Sequence, residues 1–343
     1  MKVLTIEDIA AKANVSKATV SKVINGYSGI NENTRKAVIK VMRENNFWPS
    51  TTARSLSTRQ SYLVGLFMAG ELNNSFFREV IPGIERTLGE QGYDIVYFAD
   101  KGRGDTGVSY GYLEKCYDRR VDGAIFLSFI RDRLADFEMM LKSNIPSVFV
   151  DLTFDGNRTS YVMSDNYGSA RTAVEWLYKL GHRCVGFADG TCSSIPAEKR
   201  LLGFQDTIKK LNMYCDPQWY FHGEFEEKFG FEVVDKLQQL KKWPTAIVAQ
   251  DDIAIGIIRA LDQIGTSVPE DISIVGFDDI EISRHYNLTT VRQNKYEMGI
   301  AASQLLLKII KDEPYSPVIL DTELVIRKSC KPLYVDAGTP ALA

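Results

Sequence analysis

The sequence predicts an α/β protein in which an all-α N-terminal head precedes two doubly wound parallel-sheet subdomains. Three observations carry that expectation. Residues 5–48 follow a helical period broken by capping and stop residues. From Tyr62 onward, short apolar runs alternate with helical patterns, as buried parallel strands joined by crossover helices do. Charge divides at the same place: residues 1–60 hold six Lys and four Arg against Glu7, Asp8, Glu32 and Glu44, net plus six, so the rest carries minus nine within a whole-chain net of minus three.

At 343 residues and 45% apolar, the chain is long enough to bury two or three cores. It has no window of about eighteen uncharged apolar residues, and it meets Glu7 and Asp8 before an apolar stretch of signal-peptide length. Neither a membrane span nor export is expected; a cytoplasmic protein is. The five cysteines (Cys116, Cys184, Cys192, Cys215, Cys330) are odd in number, widely spaced and never in a Cys-x-x-Cys pair, and so read as reduced core thiols. His182, His222 and His285 are far apart, which leaves little material for a metal cluster or His-based acid–base chemistry, and no cofactor is expected.

In the head, Thr5 with Asp8 forms a capping box before the stripe Ile6, Ile9, Ala10, Ala13, so a helix starts at Ile6 and stops near Asn14. Ser16 caps a second helix carrying Ala18, Val20, Val23 and Ile24, which Asn25-Gly26 breaks. Asn31 or Asn33 caps a third, with Val38, Val41 and Met42 inward and Arg35, Lys36, Lys40 and Arg43 outward, ended by Phe47-Trp48-Pro49. Three short helices with a tight first turn make a helix-turn-helix unit, whose second helix lies in the major groove of duplex DNA. Lys17 and Lys22 then reach guanine edges, Ala18 a thymine methyl, and Ser16, Thr19, Ser21 and Asn25 suit phosphates. Charge alone leaves a merely solvated basic face open.

The strings Thr5-Ile6-Glu7-Asp8-Ile9-Ala10, Val15-Ser16-Lys17-Ala18-Thr19-Val20-Ser21-Lys22-Val23-Ile24-Asn25-Gly26 and Asn33-Thr34-Arg35 resemble the DNA-binding head of the LacI/GalR family of bacterial transcription regulators. That family usually has Arg where this chain has Lys22, which replaces a planar fork by a point charge and leaves base preference there open. The resemblance implies a DNA-contacting set of Thr5, Ser16, Lys17, Ala18, Thr19, Ser21, Lys22 and Asn25. It also implies that residues 50–60, too polar and short to hold a helix alone, fold on the operator as a hinge helix paired with its twin. Leu56 would enter a minor-groove base step beside Ala53 and Arg54. Without the head in front of it, a lone Leu in a basic linker means nothing.

In the body, residues 63–68, 94–98, 123–127 and 147–150 read as a first series of parallel strands. Residues 161–163, 184–188, 246–249 and 272–277 read as a second. The whole body resembles the family core, which is similar to periplasmic sugar-binding proteins, with crossings between subdomains near residues 160, 292 and 321. The expected domains are a head (1–49), a hinge (50–60), an effector-binding and dimerisation core (61–330) and a tail (331–343). Within the core, the N-subdomain takes about 61–160 plus 293–321 and the C-subdomain about 161–292 plus 322–330. The tail has no leucine heptads, so a homodimer is expected on a pseudo-palindromic operator, without a tail-zipped tetramer.

Ligands of doubly wound folds bind at the carboxyl ends of strands. Matched by motif to the family, Phe76, Phe77, Asp151, Arg200, Phe225, Gln250, Asp278 and Gln293 form the expected effector site. Aromatic faces, carboxylates, amides and a guanidinium suit a polyhydroxylated ligand, so a sugar or sugar derivative is the expected class. Other roles stay open: Phe76 and Phe77 as core, Asp278 as a helix cap, Asp151 as a turn residue, Gln250 as an incidental loop residue. Residues 191–199 are the family's most variable loop, and the ligand's identity, the operator and the sign of control stay open.

A Gly-x-Gly-x-x-Gly string at residues 102–107 follows the second strand, with Asp122 at the wrong end of the next, so a surface loop explains it better than dinucleotide binding. No His-Glu-x-x-His or Gly-x-x-x-x-Gly-Lys occurs. A sugar-processing enzyme needs a poised acid–base or nucleophile set and an exported receptor needs export, and neither is expected here. Within the regulator reading, control by a phosphorylated carrier protein stands as the alternative to a sugar.

Overall fold

The computed structural model describes residues 4–24, 27–47, 60–68, 75–99, 111–127, 134–154, 156–191 and 193–333. The chain divides into two compact units, one of residues 1–63 with 120–122, the other of the remainder. Asn25, most of the hinge including Ala53, Arg54 and Leu56, the string at 102–107 and nearly all of the tail lie outside the described residues.

The first unit holds helices α1 (Ile6–Lys12), α2 (Lys17–Ile24) and α3 (Glu32–Glu44). Both halves of the Thr5–Asp8 capping box form. The turn to α2 passes through Asn14 at φ 53°, a left-handed conformation that Asn tolerates. Of the two expected caps for α3, Asn31 serves, its carboxamide oxygen accepting from the Asn33 N–H at 2.8 Å. Ile9, Val20 and Val38, one from each helix, are wholly buried, and Val41 and Met42 pack on them.

The second unit begins with β1 (Leu63–Met68), α4 (Ser75–Glu90), β2 (Asp94–Ala99), α5 (Tyr112–Arg119), β3 (Gly123–Leu127), α6 (Leu134–Lys142), β4 (Ser147–Val150) and β5 (Thr159–Ser164). It continues with α7 (Asn166–Lys179), β6 (Val185–Asp189), α8 (Ile195–Lys210), β7 (Tyr220–His222), α9 (Glu227–Gln238), β8 (Ala246–Ala249), α10 (Asp251–Gln263), β9 (Ser273–Asp278) and β10 (Thr289–Gln293). Helix α11 (Lys295–Ile310), β11 (Val318–Leu320) and β12 (Thr322–Val325) close it. The sheets have the orders β11-β5-β4-β3-β1-β2 and β12-β10-β9-β8-β6-β7, parallel except where β12 runs against β10. In the first, Phe98, Phe67, Phe126 and Phe149 stack face to face across four neighbouring strands, with centroids 4.5, 4.7 and 4.7 Å apart. In-register parallel pairing of Phe67, Phe126 and Phe149 produces the stack.

One sequence expectation needs correction. The run at 161–163, assigned to the second series, lies in the first sheet, where β5 pairs β4 from Ser147↔Thr159 to Val150↔Val162. The first crossing between sheets therefore falls at Asp165, a few residues later than expected, and the other two lie between β10 and α11 and between β11 and β12. The crossings bring α11 against α4 backbone to backbone. A Cβ on Gly83 would stand 2.3 Å from the Tyr296 carbonyl oxygen, and one on Gly299 would stand 2.1 Å from that of Val80. Only glycine permits that approach.

Among the described residues, no helix is long and apolar enough to cross a membrane, and no group of three His, Cys, Asp or Glu is placed to hold a metal ion.

Candidate functional site

Two sites follow from this framework, one in each unit. In the head, burying Val20 and Val23 turns Lys17, Ala18 and Lys22 outward on α2, with Thr19 and Ser21 half-buried beside them. Ser16 accepts from the Thr19 N–H at 3.1 Å and its hydroxyl lies 2.9 Å from that of Thr19, so both residues are engaged in starting the helix. Thr5 is likewise held in its capping box. Lys17 is not idle: its ammonium lies 2.5 Å from Glu7 Oε1. That bond holds the Glu7 carboxyl below the usual carboxylate range.

In the body, the strand ends gather most of the remaining candidates. Arg200, in the second turn of α8, sends Nε to Asp189 Oδ2 at 2.7 Å and Nη2 to Asp189 Oδ1 at 2.9 Å. Its Nη1 donates to the Asn166 carboxamide oxygen at 3.0 Å. Burial opposes the guanidinium charge, but Asp189, Asp278 and Asp151 outweigh it and raise the arginine pKa. Asp189 and Asn166 were not singled out from sequence. Asp189 ends a buried strand just as Asp151 and Asp278 do, and that position was the available signal.

Asp278 ends β9 at φ 105° and is followed by Asp279 at φ 49°. Side chains have to hold so unusual a turn in place. Gln250 Nε2 donates to Asp278 Oδ2 at 2.9 Å, and Gln293 Nε2 donates to Asp278 Oδ1. Asp279 is gripped by Arg292 at 2.8 Å and Arg327 at 2.5 Å. Beneath them the enclosed Asp251 accepts from Thr290 (2.7 Å), Ser283 (2.6 Å) and the Ile280 N–H (3.0 Å). Burial, reinforced by the Asp278 charge, pushes Asp251 up to about 8. Gln250 also caps α10, accepting from the Asp252 and Ile253 N–H groups at 2.9 and 3.3 Å, and is thus not an incidental loop residue. Asp278 caps no helix.

Lys295, also missed from sequence, is buried at the start of α11; its ammonium donates to the Asp278 carbonyl at 2.6 Å and pairs with Glu79 of α4 at 3.1 Å. This ties the first turns of α4 to the end of β9. Phe77 in that part of α4 is wholly enclosed and Phe76 half-buried, their rings 6.1 Å apart and inclined at 72°. Phe225 lies on Gly190, where a Cβ would stand 2.0 Å from the ring. Asp151 is buried at φ 60°, and burial, with Arg200 pulling down and Asp278 pushing up, raises its pKa to about 7. A hollow of about 1300 Å³ opens beside this cluster, lined in part by Arg78, Glu79, Phe225, Asp252, Asp279 and Arg292. Of the eight expected effector residues, Phe225 is in its lining, whereas Phe76, Phe77, Asp151, Arg200, Gln250, Asp278 and Gln293 are not.

Comparisons with known proteins agree with both halves. Residues 5–50 match bacterial regulatory proteins of the lacI family, and residues 174–330 match a periplasmic binding protein-like domain. The HTH-type transcriptional repressor PurR of Actinobacillus pleuropneumoniae serotype 3 is 33% identical over 338 residues, spanning 96% of this chain and 99% of its own. The ribose operon repressor of Haemophilus influenzae is 32% identical over 330 residues, spanning 95% and 98%. The fold is that of the lac repressor dimer bound to operator and the anti-inducer ONPF, with a TM-score of 0.82 at 27% identity over 96% of this chain and 100% of that one. A complex of the transcriptional regulator CelR with cellobiose gives 0.70 at 27% identity over 95% and 99%. These relatives are regulators of transcription and not enzymes. By identity along nearly its whole length, the chain belongs to the lacI family of bacterial regulatory proteins.

Proposed function

We propose that this protein is a cytoplasmic repressor that binds a pseudo-palindromic operator as a homodimer, and that a polyhydroxylated small molecule in the body governs its grip on DNA. One observation carries the reading: a single chain joins a helix presenting Lys17, Ala18 and Lys22 to an enclosed cluster of carboxylate, amide and guanidinium groups at converging strand ends. Two heads related by a twofold axis read two half-sites, with the hinge around Ala53, Arg54 and Leu56 in the minor groove between them. Effector contacts come from Phe76, Phe225, Asp151, Arg200, Asp278 and Gln293, with Gln250 and Phe77 behind them. Because Lys295 spans from Glu79 to the Asp278 carbonyl, a ligand at Asp278 acts on both subdomains at once. Such coupling commonly changes operator affinity by ~1–3 kcal/mol.

A small molecule is favoured over a phosphorylated carrier protein because Asp151, Arg200, Asp278 and Gln293 are all at least nine-tenths buried, beyond reach of a protein surface. Selection of bound fragments from random duplex DNA, repeated with sugars, tests the reading. A twofold-symmetric consensus whose affinity shifts at least about fivefold with one sugar supports it. Absence of any sequence preference at moderate salt contradicts it.

A further inference from the structure

We propose that the effector carries a protonated amine, so that the cleft is a site for an amine-bearing sugar and not for a phosphorylated or carboxylated one. This rests on the effector-sensing reading above and names the chemical class that the site selects.

The argument is one of charge and of donors. Among the described residues, the two buried cations near the strand ends already face carboxylates. Arg200 has its charge paired with Asp189 through two N–H groups, with Asn166 on a third. Lys295 is shared between Glu79 and the Asp278 carbonyl. Asp151 and Asp278 then remain, 7% and 8% exposed, with no ion pair to either carboxylate among the described residues. Asp278 is held by two neutral amides, and Asp151 Oδ1 is buried with no hydrogen-bond partner among the described residues. A second buried oxygen, Oε1 of Gln293, is also without a partner, and that residue is 6% exposed.

The cleft thus offers unfilled acceptors and surplus negative charge. A phosphate or carboxylate brought here would add like charge to a low-dielectric site whose buried cations, among the described residues, already face Asp189 and Glu79. A neutral sugar would fill the acceptors and leave the charge. An ammonium brings three donors and the missing positive charge together. Burial, with the Asp278 charge, raises the Asp151 pKa against the pull of Arg200, and a ligand ammonium would oppose both.

The test is calorimetric titration of the full-length protein with matched hexoses: glucose, galactose and mannose, their 2-amino counterparts, and their 6-phosphates. One amino sugar should bind at least tenfold tighter than both its neutral and its phosphorylated counterpart. Asp151→Asn should erase that preference, as should Asp278→Asn if the first variant folds poorly. Equal or tighter binding of a neutral or phosphorylated hexose, or a preference that survives both substitutions, overturns the proposal while leaving effector sensing intact. Heat from none of the nine overturns this proposal and removes support from a sugar effector as well.

Discussion

Arg200 grips Asp189 through two parallel N–H···O bonds of 2.7 and 2.9 Å, both side chains being almost wholly buried. A bidentate pair so enclosed fixes the end of β6 to the second turn of α8. Removing one partner strands a charge in a site that water does not reach. Asp189→Ala should therefore destabilise the body by about 3–5 kcal/mol in urea unfolding. A loss under about 1 kcal/mol would mean that the guanidinium finds another counter-ion and that Asp189 does not hold it.

In the head, Lys22 and Lys17 should respond oppositely to their surroundings. Lys22 is exposed on α2, and if that face enters the groove as proposed, Lys22→Ala should weaken operator binding by about 1–3 kcal/mol, with relaxed base preference at one position of each half-site. Lys17 must first leave Glu7, an exposed pair worth little. Glu7→Gln should accordingly raise operator affinity about two- to fivefold at low salt and less at high salt. Fluorescence anisotropy with labelled operator reads both, and weaker binding by Glu7→Gln would contradict the groove assignment of Lys17.

Gly190 sets the position of the Phe225 ring. Gly190→Ala would place a methyl 2.0 Å from it, so the ring must swing away from the strand ends. Effector affinity should fall at least tenfold with operator binding in the absence of effector unchanged. Unaltered effector affinity in calorimetry would remove Phe225 from the site.

His182 supplies a pH signature. It is enclosed, with Nε2 facing the Lys331 carbonyl at 3.2 Å and Nδ1 at 2.9 Å from Thr245 Oγ1. Burial, helped by the Arg183 and Lys331 charges against the Lys331 carbonyl contact, lowers its pKa from 6.5 to about 4. Between those values the unfolded chain binds a proton that the folded chain refuses, so stability falls as pH drops from 6.5 toward 4, by up to about 3 kcal/mol. The raised carboxyls of Asp151 and Asp251 act in the opposite sense, losing stability as pH rises above 3.8. The difference between wild type and His182→Gln isolates the histidine. It should shrink on acidification, and a difference independent of pH would contradict the burial argument.

Much of this was legible in the sequence because local chemistry decides it. Thr5 with Asp8, and Asn31 before α3, act through bonds to residues two or three away. Asp151 and Asp278 are named by their motif match to the family, each at the end of an apolar run. Asp189 has the same mark, but its partner Arg200 is brought to it only by the packing of α8 against the second sheet. Lys295 reads as a solvated lysine at a helix start, and it is buried because Gly83 and Gly299 let two helices meet. The run at 161–163 has the composition of a buried strand in either sheet, so only pairing with β4 could place it. Strands β7 and β11, of three residues each, are too short to show a period.

The central claim is that one molecule couples ligand in the body to DNA on the head, and linkage makes that directly measurable. The tightest-binding hexose of the matched series is titrated into the protein with and without saturating operator, and operator is titrated with and without saturating hexose. Both pairs of affinities should change by one common factor between about 5 and 150. Two sites that bind their ligands with affinities indifferent to each other would contradict it.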